Sequence, residues 1–489
     1  MPRWLWQGKI LVAAYGMILP TCAIVIEAAF LSMGPIEYLR GENLIPYLSW
    51  VMVAGGAFLI TILLVNQNSY SLPLIWLCAI IFRITVLFSG PPSLSDDVFR
   101  YLWDGHMMVT GSNPYLFPVN AQVLDALATP LRSLVNHNWM ASPYLPAAQL
   151  VFGLTEALFS QKVFAYQVMM SLFDLATGVL VGLLLHKYKL PGQLVIIYLW
   201  NPLTIMEYAH SAHIDAWMIF LSVAAISMLL IPTNPRSRYI GGLAAVPIYA
   251  GAILTKGIPL LLFPVISKLL GWRKTIAAGL ILISACLPFV YSAGSGLAGP
   301  LDGTGLFGAI RIYNVYWNYN SSIYHWIEIL LAGYATPGAI PYETGVSQAA
   351  RMIVGVILAL VLILTLIYAW LKHHELINNP KIMWVASIPI SAYLMLTPTL
   401  HPWYVLLIIP FLPFILAPDS SSSQKLFAFS WIILSITVNF SYLTYINESD
   451  FREYKLVRFL EYAPFYFLIF SAILMKVINF SGVKTQKLV

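Results

Sequence analysis

Apolar segments long enough to span a lipid bilayer recur along the whole chain, and they constrain its fold more than any other feature. A helix needs about twenty apolar residues to cross the hydrocarbon core. The candidate segments are 10–33, 45–65, 73–89, 162–185, 192–209, 214–231, 239–254, 257–270, 275–292, 349–371, 382–398, 403–417, 426–445 and 457–478. Only 9% of the residues are charged, which excludes an ordinary soluble domain. The sequence therefore predicts one all-α, polytopic transmembrane bundle over residues 1–489, with about 12–14 spans.

Basic residues between these segments predict the orientation of the bundle. They lie at 186–189, 236–238, 268–274, 372–381 and 476–487. Together with Arg3 and Lys9 they fall on one side, which the positive-inside rule assigns to the cytoplasm. The run 10–33 is too long for a signal-peptide core and is interpreted as a retained signal-anchor. We therefore expect a multi-pass protein of the inner or plasma membrane.

Two long polar segments, 90–161 and 293–348, fall on the opposite, extracytoplasmic side. Both are rich in Trp, Tyr, Pro and Asn, and both contain short amphipathic stretches that are typical of interfacial helices. The net charge of +6 is scattered rather than massed in a patch, so membrane lipids are the expected partners and nucleic acid is not. Cys22, Cys78 and Cys286 lie in apolar segments without the spacing of a disulfide framework or a metal site.

The stretch "SDDVFRYLWDGHMMVTGSNPY" begins the first of these polar segments, directly after an apolar run. Ser95 is a suitable helix N-cap, and an acidic residue in the first turn suits the helix dipole. Asp97, Arg100, Tyr101 and Asp104 recur at helical spacing and form one polar face. A capped interfacial helix with a charged face turned towards protein indicates a functional site.

This stretch resembles the first-loop motif of the C-type membrane glycosyltransferases that use polyprenyl-phosphate sugars. It is most similar to the prokaryotic polyprenol-phosphomannose-dependent mannosyltransferases. The matching residues are Asp96, Asp97, Arg100, Tyr101, Trp103, Asp104, Gly105, Asn113, Pro114 and Tyr115. His106 stands where the pattern has another basic residue. The resemblance continues at 199–217, 254–264 and 396–410.

The resemblance implies transfer of a sugar, mannose by preference, from a polyprenyl-phosphate donor to a glycan or lipid acceptor at the outer face. It also implies a single inverting displacement. Such a reaction needs a base for the acceptor hydroxyl and cations for the departing phosphate. One of the catalytic residues Asp96 and Asp97 is expected to be the base, and Asp97 is favoured because it shares a helix face with Tyr101. Two close carboxylates titrate as a pair, so the choice between them stays open here.

The remaining site residues follow from the chemistry of the side chains and from the resemblance. The predicted donor-binding residues are Lys256, Arg311, Arg100, Tyr101, His401 and Tyr404. The predicted acceptor or sugar contacts are Asp104, Asn113, His210, His213, Asp215, Trp317 and Asn320. Lys256 could instead snorkel to the interface, and the aromatic residues near Trp317 could instead form an interfacial belt.

Several alternatives stay open at this stage. His210, His213 and their acidic neighbours could bind a metal, but their spacing favours substrate contact or a hydrogen-bonded cavity. No cofactor is assigned, and a role for a divalent cation is left open. A lipid-linked sugar flippase would place charges near mid-span and break several helices. A non-catalytic subunit of a polysaccharide assembly complex would not need the acidic pair. The charged stretch 450–458 is interpreted as a loop.

Overall fold

The chain folds into an all-α polytopic bundle, as the apolar segments predict. The structure is a computed structural model that describes residues 3–33, 40–65, 71–293, 303–333, 345–447 and 452–480. Helices of the first half are α1 (Arg3–Ser32), α2 (Leu44–Val65), α3 (Leu72–Leu87), α4 (Asp97–Val109), α5 (Pro146–Leu158), α6 (Val163–Lys187), α7 (Ile196–Leu199), α8 (Pro202–Ile205), α9 (Asp215–Leu230), α10 (Pro235–Lys256) and α11 (Phe263–Leu270). Those of the second half are α12 (Trp272–Ala293), α13 (Gly308–Tyr316), α14 (Ile323–Ala332), α15 (Val346–Leu371), α16 (His373–Leu376), α17 (Lys381–Leu396), α18 (Leu412–Ile415), α19 (Ser422–Thr437) and α20 (Lys455–Phe480).

Seven helices in the described part of the chain are long and apolar enough to cross a membrane. The number rises to eight if Pro202–His210 and Asp215–Leu230 form one span that is bent by 118° at the break between them. Shorter apolar helices such as Leu72–Leu87 and Lys381–Leu396 coincide with further predicted segments. Many large apolar side chains of the long helices are exposed, for example Met352 at 72%, which is expected of a lipid-facing surface.

Three of the predicted spans are not regular helices. Segment 192–209 is divided into a 3-10 turn, two single-turn α-helices and the π-helical turn Met206–His210. Segment 403–417 is mostly 3-10 turns, because prolines remove backbone donors and interrupt helical hydrogen bonding. Segment 257–270 starts with the 3-10 turn Ile258–Leu262, after a glycine at φ +76 has ended α10.

The first polar segment, 90–161, is built around the packing of α4 on α5. A Cβ atom on Gly105 would lie 2.5 Å from the backbone oxygen of Phe152, so only glycine allows this close approach. Between the two helices the chain forms the 3-10 turns Gln122–Leu127 and Arg132–Leu134. In the second polar segment, 294–302 and 334–344 lie outside the described residues. The described part of this segment contains α13 and α14.

In the hairpin of α9 and α10, the start of α9 lies against the end of α10. Asp215 begins α9 and Lys256 ends α10, and their side chains meet at 2.6 Å. The basic residues Arg236 and Arg238 lie at the other end of α10. Polar groups near the start of α4 therefore share an end of the bundle with Lys256, and the basic loop lies at the opposite end.

One ion pair is buried deep in the bundle, away from both ends. Arg83 of α3 donates to Asp174 of α6 at 2.5 Å, and neither side chain is more than 1% exposed. The same guanidinium also donates to the carbonyl oxygens of Ala79 and Leu199. A charge inside an apolar bundle is costly unless it is paired and hydrogen-bonded in this way. The pair links α3 and α6 to the short α7.

Candidate active site

A cavity of about 1060 Å³ opens at the end of the bundle where α4 begins and α10 ends. Part of its wall is apolar and comes from the α10 terminus, the turn after it, α12 and α15. These residues are Ile253, Leu254, Ile258, Leu260, Leu261, Leu282 and Leu358. Another part is polar, and its residues include Asp96, Asp97, Asn136, His137, Lys256 and His401. The cavity can therefore hold a ligand that is apolar in one portion and polar or charged in another.

Asp97 is the first residue of α4, and its carboxylate faces this cavity with 20% of the side chain exposed. One carboxylate oxygen accepts from the Asn136 amide at 3.0 Å, and the other accepts from the Tyr144 hydroxyl at 3.2 Å. Burial by itself raises the pKa of Asp97, but His213, Lys256 and the hydrogen bond from Asn136 outweigh it and lower that pKa. Asp97 is therefore ionised and held in a fixed orientation.

Asp96 differs from its neighbour in exposure and in the direction in which its pKa is shifted. It occupies the N-cap position without a side-chain cap bond, whereas the predicted cap, Ser95, accepts from the Asp97 amide at 3.3 Å. The Asp96 side chain is 46% exposed and lies 3.7 Å from Arg40. Burial raises the pKa of Asp96, and the charge of Asp97 raises it further, although Arg40 opposes both effects. Of the two carboxyl groups, Asp97 is the stronger acid.

Lys256 lines the same cavity and is paired with a buried carboxylate. Its ammonium lies 2.6 Å from Asp215, which has no exposed side-chain surface, while Lys256 is 12% exposed. The ammonium also lies 5.7 Å from the ring centroid of Tyr144 and 5.6 Å from that of Tyr404. These contacts hold the cation at the cavity wall rather than letting it reach towards an interface.

Arg100 and Tyr101 support the cavity wall from behind. The Arg100 guanidinium, 2% exposed, donates to the backbone oxygens of Asn136, His137 and Met140 at 2.7, 2.9 and 3.2 Å. It thereby fixes the loop that presents the Asn136 amide to Asp97. Tyr101 has no exposed surface and stacks on Phe152 of α5 at 4.7 Å. Arg100 reaches the cavity lining and Tyr101 does not.

Asp104 and Asn113, expected to contact substrate, lie outside the cavity lining. Asp104 is 1% exposed and accepts hydrogen bonds from Ser142 and Gln149. Burial raises its pKa to about 6, although Arg100 and both hydrogen bonds oppose the shift. The Asn113 amide donates to the Phe289 carbonyl at 2.9 Å. Both side chains tie segments of the polar loop to the bundle.

The histidines of segment 199–217 are fully buried and do not line the cavity. His210 Nε2 accepts from the Ser93 backbone amide at 3.2 Å and anchors the chain before α4. His213 lies behind Asp97, with its Nδ1 3.7 Å from the carboxylate. Within the described residues no group of three or more His, Cys, Asp or Glu side chains is arranged to hold a metal ion.

Aromatic side chains from the second half of the chain form the facing wall. Tyr313 stacks on Trp317 at 5.4 Å, and its hydroxyl lies 3.0 Å from that of Tyr404. His401 stacks between Tyr319 at 5.0 Å and Trp403 at 4.4 Å. Burial lowers the pKa of His401 to about 3, so this ring is neutral. Flat aromatic faces at a polar cavity are suited to contact with a sugar ring.

Two predicted residues of this region lie elsewhere. Arg311 is on the exposed side of α13 and is absent from the cavity lining. Asn320 is 5% exposed and its amide donates to the buried Glu461 of α20 at 2.7 Å. Its backbone amide donates to Glu453, which does line the cavity. The interpretation of 450–458 as a loop is wrong from Lys455 onwards, where α20 begins.

No pattern in the sequence marks several of the lining residues, which are Arg40, Asn136, His137, Tyr144 and Glu453. They lie in irregular loops or at helix ends, where no periodicity distinguishes a buried face. His137 has φ 45, which is rare for a residue with a side chain. Its carbonyl accepts from Arg100, so the strained turn is held by the same guanidinium that fixes Asn136.

A helical membrane bundle with an ionised carboxylate and a cation facing one amphipathic cavity has the residue types that a multi-pass membrane glycosyltransferase needs. A family model described as the alpha-(1->6)-mannopyranosyltransferase N-terminal domain, of the MptA/B family, matches residues 7–271, more than half of the chain. The chain belongs to this family and is a mannosyltransferase that uses a sugar donor and an acceptor. No curated protein and no solved structure matched the chain.

The matched region contains Asp96, Asp97, Lys256 and their partners Asn136 and Tyr144. The aromatic wall, which consists of Tyr313, Trp317, Tyr319, His401, Trp403 and Tyr404, lies beyond residue 271. The family match thus covers the charged half of the cavity, and the opposite wall is contributed by the remainder of the chain.

Proposed function

We propose that this mannosyltransferase takes mannose from a polyprenyl monophosphate and passes it to a glycan or lipid acceptor outside the cytoplasm. The observation that carries the proposal is the arrangement around Tyr144. The Tyr144 hydroxyl donates to Asp97, and the Lys256 ammonium lies over the Tyr144 ring. A base and a phosphate-binding cation thus share one aromatic side chain at the wall of an amphipathic cavity.

The donor would lie with its isoprenoid chain along the apolar part of the cavity and its phosphate at Lys256. The apolar wall continues from α10 towards α12 and α15, whose outer faces carry exposed apolar side chains such as Leu280 and Leu360. This continuity would let a lipid tail enter from the bilayer. A soluble nucleotide sugar has no portion that would use such a wall.

In the proposed reaction Asp97 removes the proton from the acceptor hydroxyl. The acceptor oxygen then forms a bond to the anomeric carbon, while the bond from that carbon to the phosphate oxygen breaks. The electron pair leaves with the phosphate, where Lys256 stabilises the negative charge. Asp97 can take this role because its carboxylate faces the cavity and is ionised at neutral pH, so it can accept a proton.

The family name specifies an alpha-(1->6) mannosidic product. A single displacement inverts the anomeric centre, so the donor would carry mannose in the β configuration. A single displacement needs only one carboxylate, as base for the acceptor hydroxyl, and Asp97 at the cavity wall would be that base.

Orientation follows from the two ends of the bundle. The cavity lies at the end where α10 finishes, and the basic turns lie at the end where α10 begins. The positive-inside rule would put those basic turns in the cytoplasm. The cavity would then open at the outer face of the inner or plasma membrane.

No specific observation favours the flippase alternative. Its expected mid-span charges do occur as Arg83 and Asp174, but this pair is fully buried and absent from the cavity lining. The one bent helix pair, Pro202–His210 with Asp215–Leu230, positions Asp215 against Lys256 and has no counterpart among the described residues of the second half.

The proposal is tested with purified protein in lipid nanodiscs and synthetic donors that carry radiolabelled mannose. The α and β anomers of polyprenyl-phosphate mannose and a nucleotide-activated mannose are compared, with a mannose-containing glycan as acceptor. We expect transfer from the β polyprenyl donor alone. The product should be one from which α-mannosidase releases the radiolabelled mannose. Asp97→Asn is the matched control for non-enzymatic transfer. Transfer from the nucleotide sugar, or from the α anomer, would overturn the proposed donor or the inverting displacement.

A further inference from the structure

The imidazole ring of His213 is buried between two carboxylates, and the backbone and side chains around it fix its position. It lies in the break between the bent helices Pro202–His210 and Asp215–Leu230. Its backbone amide donates to the Glu207 carbonyl at 3.1 Å, and the preceding Ala212 has φ 57. A residue with a Cβ adopts this conformation only where the surrounding structure enforces it. Strain of this kind is common where a side chain must be aimed.

The plane of the ring is fixed by stacking. Trp403 packs face to face on His213, with ring centroids 3.8 Å apart and an angle of 22°. Trp403 in turn stacks on His401, which lines the cavity. Because the stacking fixes the plane of the His213 ring, its nitrogens can interact with polar groups only along the ring edge.

Along that edge both nitrogens face carboxylates. Nδ1 lies 3.7 Å from Asp97, and Nε2 lies 3.3 Å from Glu207. Neither nitrogen makes a hydrogen bond to a described residue, so these two contacts are charge contacts at ion-pair distance. Glu207 has no exposed surface, and its other oxygen accepts from the Tyr442 hydroxyl at 2.6 Å. The polar series therefore runs from the cavity through Asp97 and His213 to Glu207 and Tyr442, and Tyr442 also lines the cavity.

We propose that His213 is a positioning residue for the base, which orients the Asp97 carboxylate and balances its charge, while Glu207 orients the ring from the other side. The inference deepens the proposed function and rests on it, since it assigns to the same site a residue that never touches substrate. The expected role of His213 as a substrate contact is replaced by a role one layer behind the cavity. The other charged or titratable groups around it are Lys256 and Asp215 of the α9–α10 hairpin and His401 and Tyr442 from the second half.

In the reaction the acceptor O–H bond breaks and its proton moves to Asp97. The carboxylate becomes neutral at that moment, and its attraction to His213 weakens. After product leaves, the proton returns to solvent through the exposed side of Asp97. His213 thus favours the ionised base before each transfer without being consumed or changed.

The test uses full-length protein in nanodiscs and three variants, His213→Gln, His213→Phe and His106→Gln. Phenylalanine keeps the stacking on Trp403 but has no nitrogen, and glutamine keeps a polar edge without a titratable ring. His106 is a matched control, because it lies 3.8 Å from Glu156 but does not line the cavity. Thermal melting and size-exclusion chromatography confirm that each variant is folded.

The first measurement needs no donor. A water-soluble carbodiimide labels protonated carboxyl groups, and tandem mass spectrometry of the labelled peptide separates Asp97 from Asp96. Loss of the His213 ring should move the pH midpoint for Asp97 labelling upwards by about one unit, as expected for loss of a neighbouring partner. Asp96 should keep its midpoint in all variants, and His106→Gln should change neither. An unmoved Asp97 midpoint in both His213 variants would overturn the proposal.

The second measurement is steady-state transfer from the polyprenyl donor. Both His213 variants should lose roughly 100-fold in kcat, as expected when a base is misplaced by about 1 Å, with a donor KM within about twofold of the wild type. A purely structural role predicts that His213→Phe stays active and His213→Gln is impaired, and that result would refute the inference. If the wild type transfers nothing from this donor, the proposed function fails, while the labelling midpoints still decide the role of His213.

Discussion

The Lys256 ammonium and the Asp215 carboxylate lie 2.6 Å apart at the meeting point of α9 and α10, with Asp215 fully buried. A donor phosphate at Lys256 would therefore not meet a free cation. It would share an ammonium that already has one anionic partner, and the three protons of that group allow both contacts. The pair has a structural role in the hairpin and a proposed role in binding, and substitutions separate the two.

Lys256→Ala should weaken donor binding and slow transfer, and it should also lower stability, because Asp215 would be left buried without its partner. Loss of one member of a buried pair costs on the order of 3 kcal/mol, less here because Lys256 is partly exposed. The double variant Lys256→Ala with Asp215→Asn should recover the melting temperature but not the activity. Lys256→Arg should recover only part of the activity, since a guanidinium places its donors differently. Full activity in the stable double variant would rule out a role in phosphate binding.

Asp97→Asn should abolish transfer almost completely, and Asp96→Asn should reduce it much less. An asparagine at position 97 keeps one acceptor oxygen, which can accept from either Asn136 or Tyr144, but it cannot take a proton. Asp96 is more exposed and its pKa is raised, so it is the weaker candidate for a permanently ionised base. Initial rates at saturating donor, with melting curves for both variants, give the comparison. Equal losses in the two variants would mean that the carboxyl groups act as one unit.

Asp104 should make the stability of the protein depend on pH. Its pKa is raised to about 6 in the folded state, so the folded protein binds the proton more tightly than the unfolded chain does. The melting temperature of the wild type should therefore fall as the pH rises from about 4 to 6 and stay low above that. Asp104→Asn keeps an oxygen acceptor for Ser142 and Gln149 and removes this effect. The gain in stability from Asp104→Asn should grow with pH to at most roughly 3 kcal/mol.

The orientation of the cavity can be tested with single cysteines in a background where Cys22, Cys78 and Cys286 are alanine. Ser133 is exposed in the first polar segment, which is expected outside the cytoplasm, and Ser422 is exposed at the start of α19, next to the loop 417–425 that is expected to be cytoplasmic. Substitution of Ser422 leaves the capping box of α19 intact. An impermeant maleimide should label the Ser133→Cys variant in intact cells and the Ser422→Cys variant only after lysis. The reverse pattern would place the cavity in the cytoplasm.

The membrane class and most helices follow from the sequence alone, because apolar length is a local property that each span carries by itself. The predicted helix at the start of the polar segment is found as α4, which begins at Asp97, but its N-cap is Asp96 and not the predicted Ser95. The secondary structure of segments rich in proline, such as 403–417, could not be predicted in the same way. Their hydropathy is that of a span, and only packing within the bundle decides where the backbone turns.

The residue types that a glycosyl transfer needs are visible in the chain before it folds, namely an adjacent acidic pair and a lysine at a helix end. How these residues are used depends on the packing of the bundle. In the folded protein Lys256 is paired with Asp215, and Asp104 is buried. Arg311 lies outside the cavity, and His213 lies behind Asp97. These relationships join residues that are far apart in the chain. Since the local pattern at one residue carries no information about a partner brought to it by packing, spacing alone could not have predicted them.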